Sequence, residues 1–111
     1  MKSELISING KIILLRPLIK YDFYLNYLEL INSKLSKEKA IKLYDIEKEK
    51  YFTLILYNCF EYKIAALCKF NIYDNKIENI IIKEDYVYLK DKIEKIIKDR
   101  LFVFMNKINL E

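Results

Sequence analysis

Histidine and tryptophan are missing altogether, and glycine and proline occur once each. Without histidine, and with only Cys59 and Cys68, the chain falls short of the ligand set of a structural zinc site, so no metal is expected. One glycine and one proline leave nothing to punctuate the chain into domains, and no linker, repeat or low-complexity tract is visible. The 111 residues, 1–111, therefore read as one small domain around one core. No apolar run approaches the ~18 residues of a membrane span, and no N-terminal stretch resembles a signal peptide. The expectation is a cytoplasmic protein with reduced thiols and no membrane contact. Cys68 sits in an alternating apolar run and reads as a core residue.

Hydrophobic residues make up 53% of the chain, enough to bury a core and to exclude intrinsic disorder. Isoleucine, lysine, asparagine and tyrosine together form half of it, and lysine far outnumbers arginine. All four have A/T-rich codons, so mutational bias in an AT-rich genome is the plain reading of the tyrosines and lysines. The net charge of +4 is spread among mixed lysines and carboxylates rather than gathered in a basic arm. That balance permits contact with RNA or an acidic protein without requiring either.

The elements follow from periodicity and punctuation. Residues 1–10 form a lead-in that alternates at Leu5, Ile6 and Ile8 and turns at Gly10. Lys11 to Arg16 reads as a strand ended by Pro17, which has no N–H for the ladder. Asp22 is the N-cap candidate of a first helix whose face carries Tyr24, Leu28 and Ile31. Ser36 is the N-cap candidate of a second, from Lys37 to about Lys48, burying Ala40, Leu43 and Tyr44. Tyr51 to Tyr57 is a nearly continuous apolar strand, suited to the centre of a sheet. Asn58 to Glu61 makes a hairpin turn into Tyr62 to Phe70, where Ile64, Ala66, Cys68 and Phe70 share a face. A turn at Tyr73 to Asn75 leads to a strand ending at Ile82, and Leu101 to Met105 reads as a last short strand. The class is α+β, a mixed, mostly antiparallel sheet with helices on both faces, in the order β-α-α-β-β-β-α-β.

Between the strand Ile77 to Ile82 and the helix Leu89 to Arg100, a short connection runs from Lys83 to Tyr88. A strand running directly into a helix is an anion site, because the first helical N–H groups have no internal partner. Such sites carry glycines so that phosphates approach the backbone. This connection offers Tyr86, Val87, Tyr88 and Leu89 instead.

The chain resembles the GNAT superfamily of N-acetyltransferases, in particular glucosamine-6-phosphate N-acetyltransferases. The resemblance lies in the element order and in motifs along nearly the whole chain. Leu15-Arg16-Pro17-Leu18 with Asp22-Phe23 looks like the family's (I/L)RPL…D(F/Y) start, and Ser36-Lys37-Glu38 opens the second helix in the same style. Ile77-Glu78-Asn79-Ile80 is similar to the IEDI segment of the fourth strand, and Lys95-Ile96-Ile97 to a GKKLI helix. Tyr86 matches the aromatic before the acetyl-CoA loop. The resemblance implies catalysis with acetyl-CoA, and Glu78 stands at the acidic position near the acceptor amine. The pyrophosphate loop, (R/Q)-x-x-G-x-(G/A), is replaced by Val87-Tyr88-Leu89-Lys90-Asp91-Lys92-Ile93-Glu94, with no glycine and with Asp91 and Glu94 as added acids. Measured against the family, the chain also stops before the helix and two strands that follow the fifth strand. These departures imply a truncated, non-catalytic relative without a cofactor, kept as a structural subunit of a larger assembly. The ribosome is the leading partner, with Lys90, Lys92, Lys95, Lys98 and Arg100 facing rRNA phosphates and neighbouring proteins. The alternative is a minimal acetyl-CoA-dependent N-acetyltransferase for an amino-sugar phosphate or another amine. A sheet without the family's element order would leave the motif matches to composition alone.

Overall fold

A computed structural model describes the backbone of residues 3–23, 27–30 and 34–110, and the side chains of these up to 104. Tyr24 and Ile31 of the first helical face, and the side chain of Met105, lie outside the described residues. Among the described residues five strands form one sheet in sequence order, every pair antiparallel. They are β1 (Glu4–Ile8), β2 (Lys11–Pro17), β3 (Tyr51–Asn58), β4 (Lys63–Asn71) and β5 (Lys76–Ile82). Between β2 and β3 lie α1 (Lys20–Asp22), α2 (Leu28–Leu30) and α3 (Lys37–Lys50). After β5 a 3-10 helix (Glu84–Leu89) runs into α4 (Lys90–Leu110).

Two expectations about the sheet are corrected. The lead-in is itself a strand: Asn9 and Gly10 both take positive φ, 48° and 80°, and close a tight hairpin that pairs β1 with β2. Residues 101–105 are not a strand. Leu89, Ile93, Ile97 and Leu101 are all buried at helical spacing, and no glycine or proline separates Arg100 from Leu101, so the helix continues. Phe104 then stacks on Phe52 of β3, with ring centroids 4.5 Å apart. The observed order is β-β-α-α-α-β-β-β-α, and the sheet is antiparallel throughout rather than mixed.

Both faces of the sheet are covered. Leu54 and Leu56 of β3 pack beneath α4 with Leu15, Cys68, Ile93 and Ile97, while Ile55 packs with Phe23, Tyr27, Ala40 and Leu67 on the other side. Two bulges reset the strand alternation. Leu56 pairs Ala66 but Tyr57 pairs Ile64, which leaves Ala65 as an extra residue. Ile64 therefore joins the cluster under α1–α3 rather than sharing a face with Ala66, Cys68 and Phe70. On β5, Lys69 pairs Asn79 but Phe70 pairs Ile77, which leaves Glu78 as the extra residue.

Asp22 is not an N-cap. It is the last residue of α1, 2% exposed, and both its oxygens accept from Arg16 of β2, the Oδ1 bond at 2.6 Å. Oδ2 also accepts from the Ile19 backbone N–H at 3.1 Å. The bond to Asp22 pushes the Arg16 guanidinium up from its usual range, against the cost of burying it. Ser36 does cap α3, accepting from the Lys39 N–H. Against the sheet, α3 is held by Glu47, which bonds Lys69 at 2.9 Å and Tyr27 Oη at 3.2 Å. Burial lowers the Lys69 ammonium, but Glu47 and Tyr27 together more than offset it and the net shift is upward.

Removing one partner of a buried bidentate pair strands the other. Asp22→Ala is expected to lower stability by about 3–5 kcal/mol, read from urea denaturation. A loss below about 1 kcal/mol would place the pair among ordinary surface ion pairs.

Candidate functional site

The strand-to-helix mouth is built from two elements that meet there. Asn58 ends β3, and its Oδ1 accepts the N–H groups of Phe60 and Glu61 at 2.9 and 3.1 Å, which folds the hairpin turn. Tyr62 takes a positive φ of 55° to re-enter β4. At the end of β5 the Lys83 N–H donates to the carbonyl of the bulged Ala65 at 2.9 Å, and the Lys83 carbonyl accepts from Tyr86 N–H at 2.8 Å. The chain then winds as a 3-10 helix rather than a loop, and the Lys90 N–H bonds the Val87 carbonyl as α4 begins. The expected connection from Lys83 to Tyr88 is thus already hydrogen-bonded secondary structure.

Of the four residues offered in place of a phosphate loop, Tyr86 and Leu89 are buried, while Val87 and Tyr88 are exposed. The Tyr86 ring lies beneath the mouth, 1% exposed. Its hydroxyl donates to Glu61 Oε2 at 2.6 Å and accepts from Asn58 Nδ2 at 2.8 Å. Lys63 lies 3.1 Å from Glu61 and 2.7 Å from Asp85, and Lys11 reaches Glu61 at 3.4 Å. Both ammonium groups sit over the Tyr86 ring, at 5.6 and 5.7 Å from its centroid.

The electrostatics move four of these groups away from their usual ranges. The Tyr86 hydroxyl and then Lys63 hold the Glu61 carboxyl down at about 2. Burial, reinforced by Glu61, pushes Tyr86 up to about 12. Asp85 and Glu61 raise the Lys63 ammonium further above its usual range, and Lys63 lowers Asp85. General acid–base work needs a group that titrates near the working pH, and these groups are driven away from it. The arrangement works as a latch between the β3–β4 hairpin and the base of α4.

The mouth does not fit a pyrophosphate. Glu84, Asp85 and Asp91 stand in its first turns, and the Tyr86 ring occupies the space beneath the backbone. A cleft of about 300 Å³ lies beside it, with Leu30, Ile64 and Ile81 on its walls and Glu29, Lys83 and Glu84 among its polar residues. Among the described residues no group of three histidine, cysteine or carboxylate side chains is placed to hold a metal. Burial pushes the Cys68 thiol up to about 12, as suits a core residue.

The structure separates the other expected site residues. Glu78 is the bulged residue of β5, and its Oε1 accepts from the buried Asn71 Nδ2 at 2.9 Å. Asn71 repeats the work of Asn58: its Oδ1 takes the N–H groups of Tyr73 and Asp74, both at 3.0 Å, and folds the β4–β5 turn. Glu78 thus braces a turn. Of the five cations, Lys92, Lys95 and Lys98 are exposed at three-residue spacing, interleaved with the exposed Asp91 and Asp99. Lys90 stands where α4 begins, Lys92 also reaches Asn9, and Arg100 turns to β1 and bonds Glu4 at 2.8 Å. Sequence reasoning missed Asn58, Glu61 and Lys63 as partners of Tyr86. The available signal was an asparagine closing each of two successive strands.

Among the described residues no helix is long and apolar enough to cross a membrane. Comparison with protein-family models, with curated proteins and with solved structures gives no match for this chain.

Tyr86→Phe removes the acceptor of a buried asparagine amide and is expected to cost about 1–3 kcal/mol. It also removes the largest cause of the low Glu61 pKa. A carboxylate depressed from 4.5 to about 2 contributes stability that is present above pH 4.5 and lost as pH falls toward 2. In Tyr86→Phe the Glu61 carboxyl, followed by carbon-detected NMR, should titrate at clearly higher pH. The acid unfolding slope in that window should flatten. An unmoved Glu61 titration would show that the tyrosine does not hold it.

Proposed function

We propose that this chain is a non-catalytic, acetyltransferase-like domain that serves as an interaction subunit of a larger assembly. The observation that carries the reading is the buried Tyr86 ring, bonded to Glu61 and Asn58, at the place where a coenzyme's diphosphate would need bare backbone. The likeness to the GNAT superfamily belongs to the same proposal. In its favour are the β2-to-α4 order with helices on both sheet faces, and the Arg16–Asp22 pair formed by the motif residues. Glu78, engaged by Asn71, has no place in an acetyl transfer in this reading. The competing reading is a minimal N-acetyltransferase for an amino-sugar phosphate or another amine, and the cleft of about 300 Å³ beside Ile81 is the space it would use.

The assembly we favour is RNA-rich, with the ribosome as its leading candidate, and it is met through the row Lys92, Lys95 and Lys98 on a chain of net charge +4. Contact of this kind reads phosphates and carries little base specificity.

Two assays test the reading. Purified protein with acetyl-CoA and glucosamine 6-phosphate should release no coenzyme A above the uncatalysed rate, and measurable transfer would return the chain to the enzymes. The protein should sediment with ribosomes at moderate salt, and Lys92→Glu, Lys95→Glu and Lys98→Glu together should abolish that. Sedimentation unchanged by the triple reversal would remove RNA from the proposal.

A further inference from the structure

The sheet leaves β5 unpaired on its outer side: β4 is its only neighbour among the described residues. An open edge is a template for another strand, because its outward N–H and C=O groups have no ladder partner. Two grooves flank this edge at opposite ends and on opposite faces. One, of about 280 Å³, lies between β5 and α4 and is lined by Phe70, Ile77, Leu101 and Phe102, with Lys76 and Lys98 beside them. The other is the cleft beside Ile81 described above. The bulge at Glu78 resets the alternation, so Ile77 packs toward α4 and Ile81 toward the opposite cluster. A strand laid along β5 sends successive side chains to the two faces and so supplies both grooves. Next to the first groove, Phe102 and Val103 are 64% and 60% exposed, apolar surface with no cover among the described residues.

We propose that β5 and these two grooves receive an extended segment of a partner protein, which adds a sixth strand to the sheet. Large apolar side chains of that segment seat in the grooves, and acidic residues meet Lys76 and Lys98. Among the described residues the first groove is lined by two cations, Lys76 and Lys98, and by no carboxylate, which fits an acidic partner segment. The proposal extends the interaction-module reading, but its test involves no coenzyme and no RNA, so the two stand or fall separately.

The probe is a short fluorescein-labelled peptide of alternating phenylalanine and valine, capped by aspartates at both ends. Its controls are a lysine-capped version and one methylated on alternate backbone nitrogens. With the whole chain, the aspartate-capped peptide should bind with a submillimolar Kd by anisotropy and slow amide exchange across residues 76–82. Phe102→Asp and Lys76→Glu change exposed side chains and should each weaken binding about tenfold, with circular dichroism unchanged. The lysine-capped peptide should bind at least about tenfold more weakly, and the methylated one not at all. No binding at millimolar peptide, equal binding of the charge-swapped or methylated control, or protection outside β5 would overturn the proposal. So would sedimentation of the free protein as a dimer with β5 already protected, since the occupant would then be a second copy.

Discussion

One hydrogen-bonded tyrosine sets the character of this molecule. Tyr86 reaches back from the base of α4 to Asn58 and Glu61 in the hairpin that joins β3 to β4. Burial of its ring brings the last helix down onto the sheet, and its hydroxyl ties that helix to the hairpin. The cost of burying a phenol is met by two partners, a donor and an acceptor, so its hydroxyl is not left unsatisfied. The same act fills the mouth at the end of β5 and turns a site of anion capture into a joint. Glu61 and Lys63 then serve the joint, bonded to each other and to Tyr86 and Asp85. Their charges are locked well away from neutral pH.

The scaffold around the joint repeats a simple device. Asn58 and Asn71 are both buried, and each folds a turn with its carbonyl oxygen while its amide reaches a further side chain, Tyr86 from Asn58 and Glu78 from Asn71. One amide braces the mouth of α4, and the other braces Glu78 in the bulge of β5. A short polar side chain thus couples a turn to the base of α4 at one end of β4 and to the next strand at the other. The bulges at Ala65 and Glu78 decide which isoleucines face which layer, so they also decide where the two grooves along the free edge open. Apolar shape, with Lys76 and Lys98 beside the first groove, is what this surface offers.

Much of the fold was legible in the sequence where a single period runs without interruption. The buried series Leu89, Ile93, Ile97 and Leu101 is a helical pattern, and the apolar run of β3 marks a central strand. Ser36 announces its helix correctly. The errors fall where a local pattern is overridden from afar. Leu101 to Met105 looks like a short strand in isolation, yet it belongs to the helical register set upstream. Ile64 looks in phase with Ala66 until the extra residue Ala65 is counted. Asp22 has the chemistry of a cap but is claimed by Arg16, six residues earlier. At the mouth, Tyr86 stood out by its position, whereas Glu61 is its partner only because a hairpin 25 residues away folds beneath it. A contact of that span leaves no periodic trace.

The account rests on the mouth of α4 being occupied by its own side chains, and the backbone amides of residues 83–92 report on that directly. Coenzyme A is titrated to millimolar concentration into nitrogen-15-labelled protein while the amide spectrum is followed. The account predicts that these resonances stay where they are. Saturable shifts confined to residues 83–92 would contradict it, because they would show the diphosphate seated where Tyr86 is held to stand.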